Sequence, residues 1–289
     1  MQARRVQLLR IDILNSSEVS MASLTVRKDI ETLSPPELQA LREAYVRAQS
    51  IWDNRGYNYF AGLHGIPTWY CNHHDRSLRS VQNARLFLPW HRAYLLYFER
   101  AIRDQGGPDA KIGLPWWNWT SPNSHIIGVP AAFSTPTVDG RFNPLYQAAI
   151  YAPAANPPIW RWTRRFPGDP RQLPTPARIE ELLNLSQFRD FSIQLEDIHD
   201  FVHGWTGGNN GSVGGDMGNL GTAAWDPLFW SHHCTIDRIW YMWQLRQGVN
   251  NISPELLPIV LQPFALTVQD VLNPNALGYE YAISKAVIR

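Results

Sequence analysis

The chain has 289 residues, 26 Lys and Arg against 25 Asp and Glu, and a net charge of +1. With both signs mixed along it, there is no basic footprint for nucleic acid or an anionic membrane, and small or neutral ligands are expected instead. A 44% apolar fraction with 13 Trp, 11 Tyr and 11 Phe describes an aromatic-rich globular interior and excludes a disordered chain.

Residues 1–24 are weakly periodic and run past a second methionine, Met21, so they read as an extension, with 25–289 as one domain. They lack the apolar core and small-residue cleavage site of a secretion signal, and no later stretch approaches the roughly 20 apolar residues of a membrane span. A cytoplasmic protein is expected on that basis.

Ser34-Pro35-Pro36-Glu37 has the form of a capping box, with prolines tolerated in the first turn. A helix should follow with Leu38, Leu41, Tyr45, Ala48 and Trp52 on its apolar face. Pro89 reads as the first turn of a second helix, which turns His91, Leu95, Phe98 and Ile102 inward. From about 106 to 176 the density of Pro, Gly, Asn and Trp predicts long irregular connections that wrap a scaffold or shape a site entrance. A third helix is expected over 178–204, carrying Phe191, Leu195, Ile198 and Val202. Asp226-Pro227 opens a fourth, with Phe229, His233, Ile236, Trp240 and Trp243 at alternating offsets of four and three. The Gly-rich run between these two helices reads as a loop.

Nine histidines occur, and most fall in tight groups on or just before these helices. In His199-Asp-Phe-Val-His203 the imidazoles stand at i and i+4, so on a helix they leave one face close enough to share an ion. Asp200 replaces the glutamate that a zinc protease needs after its first histidine, which lowers a hydrolase reading. An inward histidine from the next helix would complete three nitrogen donors, and a second trio lies upstream. Neutral imidazoles without a carboxylate ligand favour a redox metal over magnesium or calcium. The only cysteines, Cys71 and Cys234, each lie within two residues of a histidine, which suggests local chemistry rather than a disulfide framework.

Several segments together resemble one family. They are Leu63-His64-Gly65, Phe87-Leu88-Pro89-Trp90-His91-Arg92, Leu114-Pro115-Trp116-Trp117-Asn118-Trp119, His199 to His203, and Asp226 to His233 followed by Asp237-Arg238. In this order, from Val26-Arg27-Lys28-Asp29 to Gly278-Tyr279-Glu280-Tyr281, they look like the type 3 copper signatures of tyrosinases and catechol oxidases. The resemblance implies a mainly α fold, a central antiparallel four-helix bundle with long irregular loops and little β structure.

It also implies two copper ions and dioxygen as co-substrate. His64, His73 and His91 would hold one ion and His199, His203 and His233 the other. The family's terminal His-His pair binds through its second member, so His232 falls behind the ligands. Where relatives place the middle ligand of the first ion this chain has Gln82, and Cys71-Asn72-His73 instead matches the family's Cys-x-His element, with His74 the alternative. In relatives that carry this element, the cysteine sulfur is often joined to the histidine ring, so a Cys71–His73 thioether is expected.

Glu196 resembles the family glutamate that holds a water near the second ion, and is the candidate proton acceptor. Asp200 stands where monophenol-hydroxylating relatives often carry Asn; an ionised aspartate only accepts hydrogen bonds and cannot orient that water in the same way. Gly204, Met217, Leu220 and Phe229 are the expected pocket residues, with Leu220 at the entrance. Arg27 and the Tyr-x-Tyr element resemble a pair that ties the two ends of the domain together.

The implied reaction is oxidation of catechols to o-quinones, with ortho-hydroxylation of monophenols or oxidation of o-aminophenols as extensions. A haemocyanin-like oxygen carrier is the alternative. Small phenols and a copper-delivery protein are the implied partners, with nucleic acid and membranes excluded.

Overall fold

The computed structural model describes residues 24–71, 81–106 and 112–282. Among the described residues, eight helices run in chain order, α1 Pro35–Ser50, α2 Tyr57–His64, α3 Val81–Gly106, α4 Ser124–Ile127, α5 Ala131–Ser134, α6 Pro176–Leu183, α7 Phe188–Gly207 and α8 Leu228–Gln247. The strands are short and paired in twos. Thr25–Arg27 (β1) lies parallel to Tyr279–Tyr281 (β8), and three small antiparallel ribbons join Thr137–Val138 (β2) to Arg141–Phe142 (β3), Ala149–Ala152 (β4) to Ile159–Trp162 (β5), and Asn209–Asn210 (β6) to Val213–Gly214 (β7).

The expected capping box is present. Ser34 accepts from the Glu37 backbone N–H, while the Glu37 carboxylate accepts from the Ser34 backbone, so two otherwise orphaned donors are satisfied at the start of α1. The helix ends at Ser50, and Trp52 lies beyond it in solvent, not on the apolar face.

Pro89 does not begin a helix either. It sits inside α3, which starts at Val81 and tolerates the missing donor because the rest of its inward face is well packed. The stretch expected as one helix over 178–204 is two, α6 and α7, broken at Asn184–Gln187. Within 106–176 the described residues are mostly irregular, as expected, but they also hold two ribbons, the single-turn helices α4 and α5 and a 3-10 turn at Pro170–Gln172.

The outcome is a mainly helical domain around a four-helix bundle. α3 packs against α7 and α8, α1 covers α2 and α3, and α6 lies against α7 and α8. α8 is buried almost all round, from Leu228 through Asp237 without a break, as a helix at the centre of a bundle must be.

The two ends of the domain meet on this bundle. Arg27 in β1 stacks its guanidinium 3.7 Å over the Tyr279 ring, as the resemblance implies. It also pairs with Glu99 of α3 at 2.8 Å and with Asp237 of α8 at 3.2 Å. Asp237 further binds Arg92 at 2.5 Å and accepts from the hydroxyls of Tyr279 and Tyr281. This buried lattice fixes the helices that carry His91 and His233. Among the described residues, no helix is long and apolar enough to cross a membrane.

Candidate metal centre

Five of the six histidines expected as ligands lie among the described residues, and the bundle brings all five together. His64 ends α2, His91 lies on the inner face of α3, His199 and His203 stand one turn apart on α7, and His233 lies on α8. Every one is buried. His73 and its alternative His74 lie outside the described residues, as does the expected thioether. Cys71 itself is described, with its sulfur 3.8 Å from Nε2 of His91.

Nε2 of His233 lies 3.2 Å from Nε2 of His199 and 3.1 Å from Nε2 of His203. The ring nitrogens of His64, His91 and His233 form a second group within 4.8 Å, and the His91 and His233 rings stack at 4.5 Å. Donors about 2.0 Å from a shared ion at tetrahedral angles stand about 3.3 Å apart, so both separations from His233 have the size found in a metal site.

The protonation of the rings agrees. Nδ1 of His203 lies 2.7 Å from the Met217 carbonyl and Nδ1 of His91 lies 2.8 Å from the Phe87 carbonyl. A carbonyl only accepts, so each Nδ1 carries the hydrogen and each Nε2 presents a lone pair. Nδ1 of His199 is held in the same way by the Asp200 carboxylate at 3.0 Å. Burial first, then the imidazoles of His91, His199, His203 and His232, keeps the pKa of His233 well below its ordinary value, so a cation is favoured there only as a metal. Lone pairs converging at these distances fit copper, which takes neutral imidazole readily.

Two close backbone approaches hold this arrangement. A Cβ at Gly207 would meet the backbone nitrogen of Gly218 at 2.2 Å, so only glycine lets the 216–218 turn lie on α7 and aim the Met217 carbonyl at His203. A Cβ at Gly65 would meet the Gly221 carbonyl at 2.5 Å, which sets the end of α2 against the same loop. The loop is also pinned by Asp216, whose carboxylate takes two 2.7 Å bonds from Arg161 in β5. Gly215 of the loop is placed in the same way, since a Cβ there would meet the Gly207 carbonyl at 2.2 Å.

A cavity of about 360 Å³ opens onto the histidines. His64, His199, His203, Glu196, Asp200, Gly204, Met217 and Leu220 are among its walls. Leu220 is half exposed at its edge, whereas Glu196 and Met217 are buried. Phe229, expected on the pocket wall, lies instead beneath the metal ligands. It is fully buried, 4.0 Å from the His233 ring and 4.8 Å from that of His64, because it precedes His233 by one helical turn on α8.

The hydrogen bonds that the rings donate to Asp200, Met217 and Phe87 are not signalled by the family motifs. The i, i+4 spacing of Phe87 and His91 could have signalled the last of these.

A helical bundle that closes buried imidazoles from four helices around adjoining metal positions defines a type 3 copper protein, binding two copper ions. The chain belongs to the tyrosinase central-domain family: residues 54–246 match the model described as the common central domain of tyrosinase. It is similar to a Helix pomatia protein, Hemocyanin, beta-C chain unit G, at 32% identity over 291 residues, 91% of this chain and 67% of the relative. It is 33% identical over 227 residues to Hemocyanin, units G and H of Sepia officinalis, where the match covers 77% of this chain and only 38% of the relative.

Among solved structures, a functional unit from Octopus hemocyanin superposes with a TM-score of 0.72 at 27% identity, over 89% of this chain and 68% of the other. The fold is shared as well with a tyrosinase from Burkholderia thailandensis, TM-score 0.75 at 20% identity, over 91% of this chain and 75% of the other.

Proposed function

We propose that the chain is a phenol oxidase that converts catechols to o-quinones with dioxygen. His64, His73 and His91 hold one copper ion, and His199, His203 and His233 hold the other. The observation that carries this reading is the open cavity, whose floor is the ligand rings and whose rim residue Leu220 leaves access for a flat aromatic ring.

A bound copper pair supplies two-electron exchange with dioxygen. The chain positions the phenol for it. The side chains of Met217 and Leu220 give an apolar wall for the ring, and Gly204 leaves open space at the same cavity. The Glu196 carboxylate, buried at the cavity, takes the phenolic proton directly or through one water. Asp200, Met217 and Phe87 hold the ligand rings in the tautomer that presents Nε2.

An oxygen carrier is the second reading, favoured by the hemocyanins among the relatives. Oxygen uptake by the copper-loaded chain with tyrosine, a catechol and an o-aminophenol separates the two. Catalytic uptake with quinone formation from the catechol is expected. Stoichiometric, reversible uptake without quinone would establish the carrier instead.

A further inference from the structure

One imidazole in the cluster has no place in the proposed ligand set. His232 is fully buried on α8, and a ring nitrogen of it lies within 4.8 Å of ligand nitrogens of His199, His203 and His233. Its ring lies nearly parallel to that of His199 at 5.2 Å and edge-on to that of His203 at 4.7 Å. Neither of its ring nitrogens makes a well-formed hydrogen bond, although the His199 backbone lies close enough to act on the ring. A buried polar group in this condition costs stability, and an apolar side chain of similar size would not. Its presence points to a ligand that takes its lone pair.

We propose that His232 is a fourth nitrogen donor, which together with His199, His203 and His233 holds a single copper ion while the neighbouring position is empty. Divalent copper prefers a tetragonal set of four donors, and three imidazoles alone leave that set short. The difference in tethering supports the assignment. His199 and His203 are fixed by Asp200 and by the Met217 carbonyl, whereas the His232 ring has no comparably well-formed tether. The inference rests on the copper reading and extends it to a state in which one ion is bound.

The test uses the full chain carrying His64→Ala and His91→Ala, which leaves the second cluster alone, with and without His232→Leu. One equivalent of copper(II) is added, the nitrogen donors are counted from their hyperfine couplings in electron paramagnetic resonance, and affinity is measured by competition with a chelator. Four nitrogens in the parent, three in the Leu variant, and an affinity loss of about 10- to 100-fold are expected. The melting temperature of the metal-free Leu variant should be equal or higher, since a buried unbonded polar group has gone.

Three nitrogens in the parent, or equal nitrogen counts and affinities in the two proteins, would overturn the proposal. His232→Phe, which keeps a ring in the same space, repeats the measurement should the Leu variant fail to fold. Copper uptake by the unsubstituted chain is measured alongside. If that chain binds two ions and oxidises catechol while His232 changes nothing, only this inference falls; if it takes up no copper, the functional reading falls too.

Discussion

The Asp200 carboxylate lies 3.0 Å from Nδ1 of His199, its immediate neighbour on α7, and so decides which nitrogen of that ring faces the metal positions. The sequence suggested only a negative role for Asp200, as an acceptor where relatives often have Asn. The structure adds a positive one, since the same acceptor character keeps the hydrogen on Nδ1 and the lone pair on Nε2.

Two substitutions separate these roles. Asp200→Ala removes the tether, and copper affinity by chelator competition should fall about 10- to 100-fold. Asp200→Asn retains an acceptor oxygen for His199 and adds an N–H donor. It should keep most of the copper affinity while raising the ratio of tyrosine hydroxylation to catechol oxidation, measured as initial rates. An unchanged affinity in the Ala variant removes the tether, and an unchanged ratio in the Asn variant removes the donor argument.

Asp237 supports the site from outside it. Burial by itself would raise its pKa, but Arg92, Arg27 and the Tyr281 hydroxyl outweigh burial and hold it below the usual carboxylate range. A depressed carboxylate contributes stability that is present above the unfolded-state pKa of about 3.9 and is lost as pH falls through the lower folded value. In Asp237→Asn two buried guanidinium groups lose their shared partner, a change that costs about 3–5 kcal/mol. Denaturant unfolding of the metal-free chain at neutral pH should show that loss, and as pH falls below about 4 its stability should decline less steeply than in the parent. A parallel pH profile would show that Asp237 does not carry the acid dependence.

The parts of the centre legible in the sequence were those with local order. The capping box at Ser34 and Glu37 and the i, i+4 pair His199 and His203 lie within single helices, where spacing alone fixes the face. The choice between His232 and His233 was not legible from period, because α8 is buried on every side and no exposed face marks an orientation. The family motif selected His233, and in the structure its Nε2 meets those of His199 and His203.

Contacts across the chain were hidden as well. Met217 reaches His203 only because Gly207 and Gly218 touch, and composition alone reads that segment as a free loop. The break between α6 and α7 is not marked in the sequence, because apolar residues on both sides continue a helical spacing through a turn without Pro or Gly.

The sixth ligand is tested by composition, not by kinetics. His73 should bind the first copper, so His73→Ala should lower the metal content from two ions toward one per chain, whereas His74→Ala should leave two. Copper analysis after exhaustive loading and removal of free metal decides between them. Full occupancy in His73→Ala with loss in His74→Ala would reassign the ligand to His74.

Gly204 offers a test of substrate access that leaves the metal ligands untouched. It lies on the exposed side of α7 one residue after His203, at the cavity wall, and a Cβ placed there meets no atom within 4 Å. Gly204→Ala should therefore stabilise the helix by about 0.5–1 kcal/mol with little effect on turnover. Gly204→Trp projects a large ring across the open side. For a catechol with a bulky substituent opposite its hydroxyls, KM should rise about 10-fold with kcat nearly unchanged, the pattern of binding lost equally from ground state and transition state. Unsubstituted catechol should be affected much less. Equal effects on the two substrates would place the entry path on another side of the histidine cluster, away from Leu220.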